Sequence, residues 1–529
     1  MPTLHWIGKD KVINHHQDVP FRLLDHQYGA LADGTQTAEP TGSGNQIIHG
    51  DNLEALKALL PQYEGRVKCI YIDPPYNTGN EGWVYNDNVN DPKIKKWLSQ
   101  VVGKEGEDLS RHDKWLCMMY PRLKLLHKLL AEDGMIFISI DDVEVANLRL
   151  VVDEIFGINN FLANIAWEKR FTRSNNAKLF YSLKDSILVY RKSQLVSYLR
   201  ESRTEKADSL YTNPDNDSRG VWISSSYVNP ATKEKRKNLV YPIKNPNTGQ
   251  EINHPTHAWK YGYSQYEEHV KDNRLYWGTE GKNPLPRLKS FLTDAQGMVP
   301  VDIWYHKDTG TTDDGGKTLT EIFEGKGLFD TPKPVGLIEK ILQLATDQDS
   351  IVLDSFAGSG TTAHAVLKLN QQDGGNRKFI LTEMEDYAEH ITAERVKRVM
   401  QGYAGQPGTG GSFDYLTLGE PVFTESGELN EQAGLPGLRQ YLYYAETKQP
   451  LPTETADDNA AFLGQHDGAA YYFHYAPEEV TTLDHEFLST ICTKAGQYII
   501  YADNCLLTPE FMTQHGLIFK KIPRDISRL

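Results

Sequence analysis

The sequence predicts an α/β protein built on a doubly wound, largely parallel sheet. Two observations carry this. Short apolar, β-branched runs end abruptly in an acid, as at residues 67–72 before Asp73, 134–140 before Asp141, 351–353 before Asp354 and 379–382 before Glu383. Between them lie segments whose apolar residues recur at helical spacing, such as Trp115, Leu116, Met119, Leu123, Leu126 and Leu130. Strands alternating with helices imply right-handed parallel crossovers and a sheet covered on both faces.

In order, residues 46–49 read as a strand, 53–60 as a helix and 67–72 as a buried strand. A helix over 113–131, a strand over 134–140 and a helix over 143–156 follow, and 186–190 reads as a last strand before the texture changes. Regular structure returns with a helix at 335–346, a strand at 351–354, a helix running to 369 and a strand at 379–383. Beyond a Gly/Pro-rich linker at 402–411, strands at 471–475 and 498–501 and helices at 438–446 and 487–494 suggest a small α/β domain. The domain boundaries expected are 1–44 (an N-terminal arm), 45–160, 161–301, 302–402 and 403–529.

A chain of 529 residues exceeds one core, which fits about two to four domains. Cys69, Cys117, Cys492 and Cys505 lack metal-ligand spacing and read as reduced thiols, the pattern of a cytoplasmic protein. No apolar run is long enough to span a bilayer, so no membrane partner is expected. The net charge of −15 is unevenly spread. Residues 166–292 hold 22 Lys+Arg against 13 Asp+Glu, and residues 411–529 hold 7 against 17. A basic middle and an acidic tail suit a chain whose middle meets a polyanion.

The stretch Asp73-Pro74-Pro75-Tyr76 organises the rest. It offers a carboxylate, two proline-fixed carbonyls and a ring at the carboxyl end of a strand, where ligands of open α/β sheets sit. Asp73 and the Pro74 carbonyl can each accept a hydrogen from an exocyclic amine on a planar heterocycle. Tyr76 can stack on that ring. Asp51 also ends a strand, beside Asn52, and doubles as a helix N-cap. Asp141 and Asp142 read as a helix cap before a metal site, and no metal-ligand constellation is apparent.

Between about 160 and 301 lie Lys169, Arg170, Arg173 and the cluster Lys233, Lys235, Arg236, Lys237, interleaved with Trp222, Tyr227, Trp259, Tyr261, Tyr263, Tyr276 and Trp277. Basic groups, aromatics and amides together suit nucleic acid. The alternative is an irregular insertion that only supports the sheet. Asp354 through Thr362, with Phe356, Gly358, Ser359, Gly360 and Thr361, is a strand, a glycine turn and a helix start. It lacks the Lys of a phosphate-binding P-loop. Glu383, at the end of the next strand, has the separation of an acid that holds ribose hydroxyls. The set points to a nucleoside-type cofactor.

These motifs resemble those of amino-methylating DNA methyltransferases. Asp73-Pro74-Pro75-Tyr76 is similar to their catalytic motif, Asp354–Thr362 to their S-adenosylmethionine motif, and Thr331-Pro332-Lys333-Pro334 to the segment that precedes it. The catalytic motif comes first, as in the β class, a circular permutation of the usual Rossmann-like order. Gly50-Asp51-Asn52, Asn77-Thr78-Gly79, the middle segment and the ending Phe519–Asp525 resemble the modification subunits of type III restriction–modification systems. The resemblance implies that Asp73 and Pro74 bind the target amine of a flipped-out base and that Tyr76 stacks on it. Phe356, Gly358, Gly360 and Thr361 would line the cofactor pocket, with Glu383 on the ribose. Asp51 would approach the adenine of the cofactor, and Thr331–Pro334 its methionine end. It further implies an inserted DNA-recognition domain and double-stranded DNA as substrate. The acidic C-terminal domain, with no catalytic motif, is a candidate for forming a homodimer or for docking a helicase/nuclease restriction subunit. Asp rather than Ser at position 73 favours adenine N6 over cytosine N4. A solitary adenine enzyme, an N4-cytosine enzyme and, more distantly, an RNA or protein-glutamine methyltransferase share parts of the pattern. Ser355 departs from it, since a bulkier residue is expected there.

Overall fold

A computed structural model describes residues 3–77, 111–173, 178–325, 327–453, 457 and 459–524. Two compact units emerge. The larger comprises Met1–Ser197 and Val301–Leu529, and the smaller is Tyr198–Pro300. Among the described residues no helix is long and apolar enough to cross a membrane.

The larger unit is organised around an eleven-stranded sheet. From one edge its strands are Ile303–Trp304, Phe161–Glu168, Lys184–Arg191, Leu130–Ile140, Val67–Ile72, Ile351–Asp354, Lys378–Glu383, Gln46–His49, Ser412–Pro421, Arg22–Leu31 and Gln36–Thr37. The six strands from Leu130–Ile140 to Ser412–Pro421 run parallel. Antiparallel pairings extend both sides. Successive strand residues face opposite sides. Ile70, Ile72, Ile136, Ile138, Leu353 and Ile380 pack under the helices Asn52–Tyr63, Arg111–Leu129 and Val145–Phe156. Cys69, Tyr71, Phe137, Val352 and Phe379, of the other parity, are buried too, on the side that carries Val335–Ala345. This double burial explains why the strands read as unbroken apolar runs.

The strands Val67–Ile72 and Ile351–Asp354 are neighbours, with Cys69 opposite Val352 and Ile70 opposite Leu353. From the first the chain crosses, through Arg111–Leu129, to Leu130–Ile140 on one side. From the second it crosses, through Thr361–Asp373, to Lys378–Glu383 on the other. Divergence of this kind opens a crevice at the carboxyl ends of the two strands.

Three expected boundaries move. The arm assigned to residues 1–44 contributes Arg22–Leu31 and Gln36–Thr37 to the sheet. The insertion assigned to 161–301 begins later, because Phe161–Glu168 and Lys184–Arg191 are sheet strands and the separate unit starts at Tyr198. Ser412–Pro421 pairs in parallel with Gln46–His49, so the C-terminal region assigned from 403 separates only after it. In each case a strand toward the flank of the sheet, with a mixed burial pattern, lacks the apolar run that marked the central strands. The C-terminal region is a four-stranded mixed sheet (Phe462–His466, Ala469–Phe473, Gln497–Ala502, Leu517–Lys521) with an apolar cluster on each face. The helix expected at 487–494 is the shorter His485–Ser489.

The smaller unit has its own core of Tyr227, Ile243, Trp259, Tyr266, Leu275, Trp277 and Leu288. Tyr227, Trp259 and Trp277, read from sequence as candidate nucleic-acid contacts, are therefore core residues. Glu201 and Met298 exchange backbone hydrogen bonds of 2.8 and 2.9 Å, so the ends of this unit lie side by side. Replacing residues 202–297 by a short Gly/Ser linker should leave the rest of the chain folded, because closing so small a gap costs little loop entropy. A single cooperative melt of the deletion variant is the expected result. Loss of cooperativity would contradict the assignment.

Candidate active site

Asp73, the turn after Asp354, Thr331–Lys333 and Glu383 line one cavity. Phe329, Pro332, Phe356 and Tyr387 give it apolar walls, and Pro75, Ala357, Gly358, Ser359, Thr361 and Thr362 also line it.

The Asp73 turn is anchored on every side. The indole Nε1 of Trp115 donates to the Pro75 carbonyl at 2.7 Å, so that carbonyl is not open to a ligand as the sequence alone suggested. The Tyr76 hydroxyl donates to Asp185 Oδ2 at 3.3 Å, and Lys169 Nζ holds Asp185 Oδ1 at 2.6 Å. Lys169, expected to meet DNA, is thus committed to the site itself. Asn77 sits in the left-handed region at φ 62°, donating through its amide to the fully buried Glu144. His112 Nδ1 lies 2.5 Å from the same carboxylate, and Asn147 Nδ2 donates to it at 2.9 Å. Thr78 and the loop to Gly106 lie outside the described residues. Asp73 itself is half engaged. Lys333 donates to its Oδ2, while Oδ1 is buried with no hydrogen-bond partner among the described residues. Lys333 Nζ also stands 5.1 Å from the centre of the Tyr76 ring.

The glycine turn is tightly fitted. Gly358 and Gly360 have φ of 51° and 80°. A Cβ on Gly358 would come within 3.1 Å of Phe329, and one on Gly360 within 3.1 Å of the Thr392 carbonyl. Only glycine takes both backbone states without strain. Asp354 accepts from the Phe356 amide at 3.1 Å and from the Thr362 hydroxyl. Glu383 Oε2 accepts from the Gly358 amide at 2.8 Å, and Oε1 from the amides of Met384 and Glu385. Burial nevertheless pushes both carboxyls up to about 7.

Other expected residues lie apart. Asp51, Asn52, Pro74, Tyr76, Pro334 and Gly360 are not among the residues lining the cavity. Asp51 caps the helix Asn52–Tyr63, accepting from Leu53 and Glu54. Asn52 is fully buried and donates to the Ser355 carbonyl at 3.0 Å, and Arg122 donates to its Oδ1. Ser355 is also fully buried and does not line the cavity, so its small side chain leaves the lining unchanged. Arg170 donates to the Tyr181 hydroxyl at 2.7 Å, and Arg173 is exposed. In the smaller unit Lys235, Arg236 and Lys237 are exposed and Lys233 is half-buried. The sequence reading missed Phe329, Tyr387, Trp115, Glu144 and Asp185. A Trp on a helix and an Asp on a strand beyond Leu130–Ile140 carry no local signature.

A parallel sheet with a glycine turn, a strand-end acid and an Asp-Pro-Pro-Tyr turn around one crevice defines an α/β protein of the methyltransferase type. The chain belongs to the DNA methylase family, whose model matches residues 67–394. It is 36% identical over 410 residues to the StyLTI Mod subunit, a type III restriction-modification enzyme of Salmonella typhimurium, covering 74% of this chain and 59% of that one. It is 34% identical to the EcoPI Mod subunit of Escherichia phage P1, covering 73% and 64%. It is 32% identical to the type II methyltransferase M.KpnI of Klebsiella pneumoniae, covering 70% and 89%. The chain thus spans less than two thirds of the length of the two Mod subunits it matches.

The raised carboxyls set a pH dependence of stability. Asp and Glu in an unfolded chain titrate near 4, so between about 4 and 7 the folded protein holds protons that the unfolded chain releases. The contribution of these groups to stability therefore falls as pH rises through 7. Glu383→Gln removes one of them, and melts at pH 5 and pH 8 should differ by less than in the parent. An undiminished difference would contradict the assignment.

Proposed function

We propose that the protein is an S-adenosylmethionine-dependent DNA methyltransferase acting on adenine N6 in duplex DNA, the modification component of a restriction–modification system. One observation carries this reading: Asp73, with a buried oxygen that has no partner among the described residues, and the glycine turn line the same cavity from neighbouring strands, with Glu383 from the next. The family supports it, as does the similarity to Mod subunits of type III restriction-modification enzymes. The motif order, catalytic strand first and cofactor strand second, fits the permuted β class.

The residues present suit the cofactor. A buried carboxylate at Glu383 can accept from ribose hydroxyls, and Phe329, Phe356 and Tyr387 can pack against a ring. When bound, S-adenosylmethionine supplies an electrophilic sulfonium methyl group. Asp73 Oδ1 accepts one hydrogen of the target amine and the Pro74 carbonyl accepts the other, which frees the nitrogen lone pair for attack. Lys333 holds the second oxygen of Asp73 and fixes its rotamer. The adenine must leave the duplex, at a cost of about a few kcal/mol that pocket contacts offset. Catalysis is then mostly positioning.

Asp73→Ala should lower transfer of labelled methyl to mixed-sequence duplex DNA by at least roughly a thousandfold, the scale of losing a group that acts in the transition state. It should leave S-adenosylhomocysteine binding in place. Retained transfer would overturn the role of Asp73.

The exposed Lys235 and Arg236 are proposed phosphate contacts. Their double Ala variant should weaken DNA binding on all sequences and reduce the salt slope by about two, one per lost phosphate contact. An unchanged slope would remove them from the interface. A homodimer and a helicase/nuclease partner subunit are further proposals, motivated by the Mod relatives. An oligomeric state measured by light scattering tests the first.

A further inference from the structure

Arg395, on the helix Glu394–Gln401, is fully buried directly behind the glycine turn. Among the described residues no carboxylate forms an ion pair with it, and its Nε has no partner. Burial alone pulls its pKa down, to about 10. The guanidinium Nη1 donates to Ser359 Oγ and to Thr361 Oγ1, each at 2.8 Å, and lies 3.4 Å from the Ser359 carbonyl. Nη2 faces Nδ1 of His364 at 3.3 Å, and burial together with this cation keeps that imidazole neutral.

An unpaired cation in a protein interior is costly, so its retention calls for a compensating anion or a structural use. The contacts point to the first. A hydroxyl that accepts from a guanidinium must direct its own hydrogen elsewhere. Thr361 can donate to the Lys333 carbonyl at 3.2 Å. Ser359 can donate to Thr361 Oγ1, 3.4 Å away, or into the cavity that both residues line. Arg395 therefore leaves the Ser359 hydroxyl free to point its hydrogen into the cavity, backed by a full positive charge with no ion-paired carboxylate among the described residues.

We propose that Arg395 is the positioning residue of an anion subsite: it orients the hydroxyl of Ser359 to receive the α-carboxylate at the amino-acid end of the cofactor. The inference rests on the cofactor reading above. Arg395 touches no substrate. It acts through the Ser359 hydroxyl, and through Thr361, which donates to the Lys333 carbonyl, it ties the cofactor turn to the segment whose side chain holds Asp73.

The test compares two ligands by calorimetry. S-Adenosylhomocysteine carries the amino-acid end, and 5′-methylthioadenosine presents the same adenosine thioether without it. Replacing a buried cation by an apolar chain of similar volume is often tolerated. Arg395→Met should weaken S-adenosylhomocysteine roughly tenfold or more and leave methylthioadenosine within about twofold, because only a charge-assisted contact is lost. Arg395→Lys should restore most of the loss. Equal weakening of both ligands would mean that Arg395 only shapes the turn and would overturn the subsite, as would undiminished S-adenosylhomocysteine binding. If Arg395→Met does not fold, Ser359→Ala decides, with the same selective loss expected and a non-selective or absent effect overturning the proposal. A wild-type chain that binds neither ligand would remove the cofactor reading and this inference with it. Failure confined to the variants would remove only the inference.

Discussion

The pairing of Val67–Ile72 with Ile351–Asp354 is the constraint on which the rest depends. These strands are far apart in sequence, yet they sit side by side at the centre of the sheet, and their crossovers depart in opposite directions. Backbone pairing alone therefore brings the Asp-Pro-Pro-Tyr turn and the glycine turn to the two lips of one crevice. The intervening chain, including the separate unit at Tyr198–Pro300, can vary without disturbing that pairing, because both strands are locked by burial on both faces.

Around the crevice, polar groups are satisfied in an uneven pattern that carries chemical meaning. Pro75, Tyr76 and Asn77 are each fixed by a partner from another element: Trp115, Asp185 and Glu144. Among the described residues Asp73 keeps one oxygen without a hydrogen-bond partner, and Arg395 keeps a charge without an ion-paired carboxylate. Buried polar groups left in this state are unfavourable. Asp73 lines the cavity itself, and Arg395 lies behind Ser359 and Thr361, which line it.

Much of this was legible in the sequence, for physical reasons. Strands buried on both faces produce continuous apolar runs, so 67–72, 351–354 and 379–383 could be read directly. Turns that need glycine or proline announce themselves, as at Gly358, Gly360 and Pro74. Strands toward the flanks of the sheet such as Arg22–Leu31 and Phe161–Glu168 were not legible, because their side chains are only partly buried and the apolar signal fades. The support of the site was also hidden. Trp115, Glu144 and Asp185 act only through tertiary contacts, and Lys169 looked like a DNA contact because its partner Asp185 lies on the adjacent strand, distant in sequence. The aromatics of the insertion misled in the same way, since Tyr227, Trp259 and Trp277 resemble stacking residues but form that unit's core.

The most direct measurement is the identity of the methylated base. Purified protein would be incubated with S-adenosylmethionine and mixed-sequence duplex DNA, the DNA digested, and its nucleosides separated by mass. The account predicts N6-methyladenine. N4-Methylcytosine would contradict the assignment of the target base, and the absence of any methylated nucleoside from a chain that binds the cofactor would contradict DNA as its substrate.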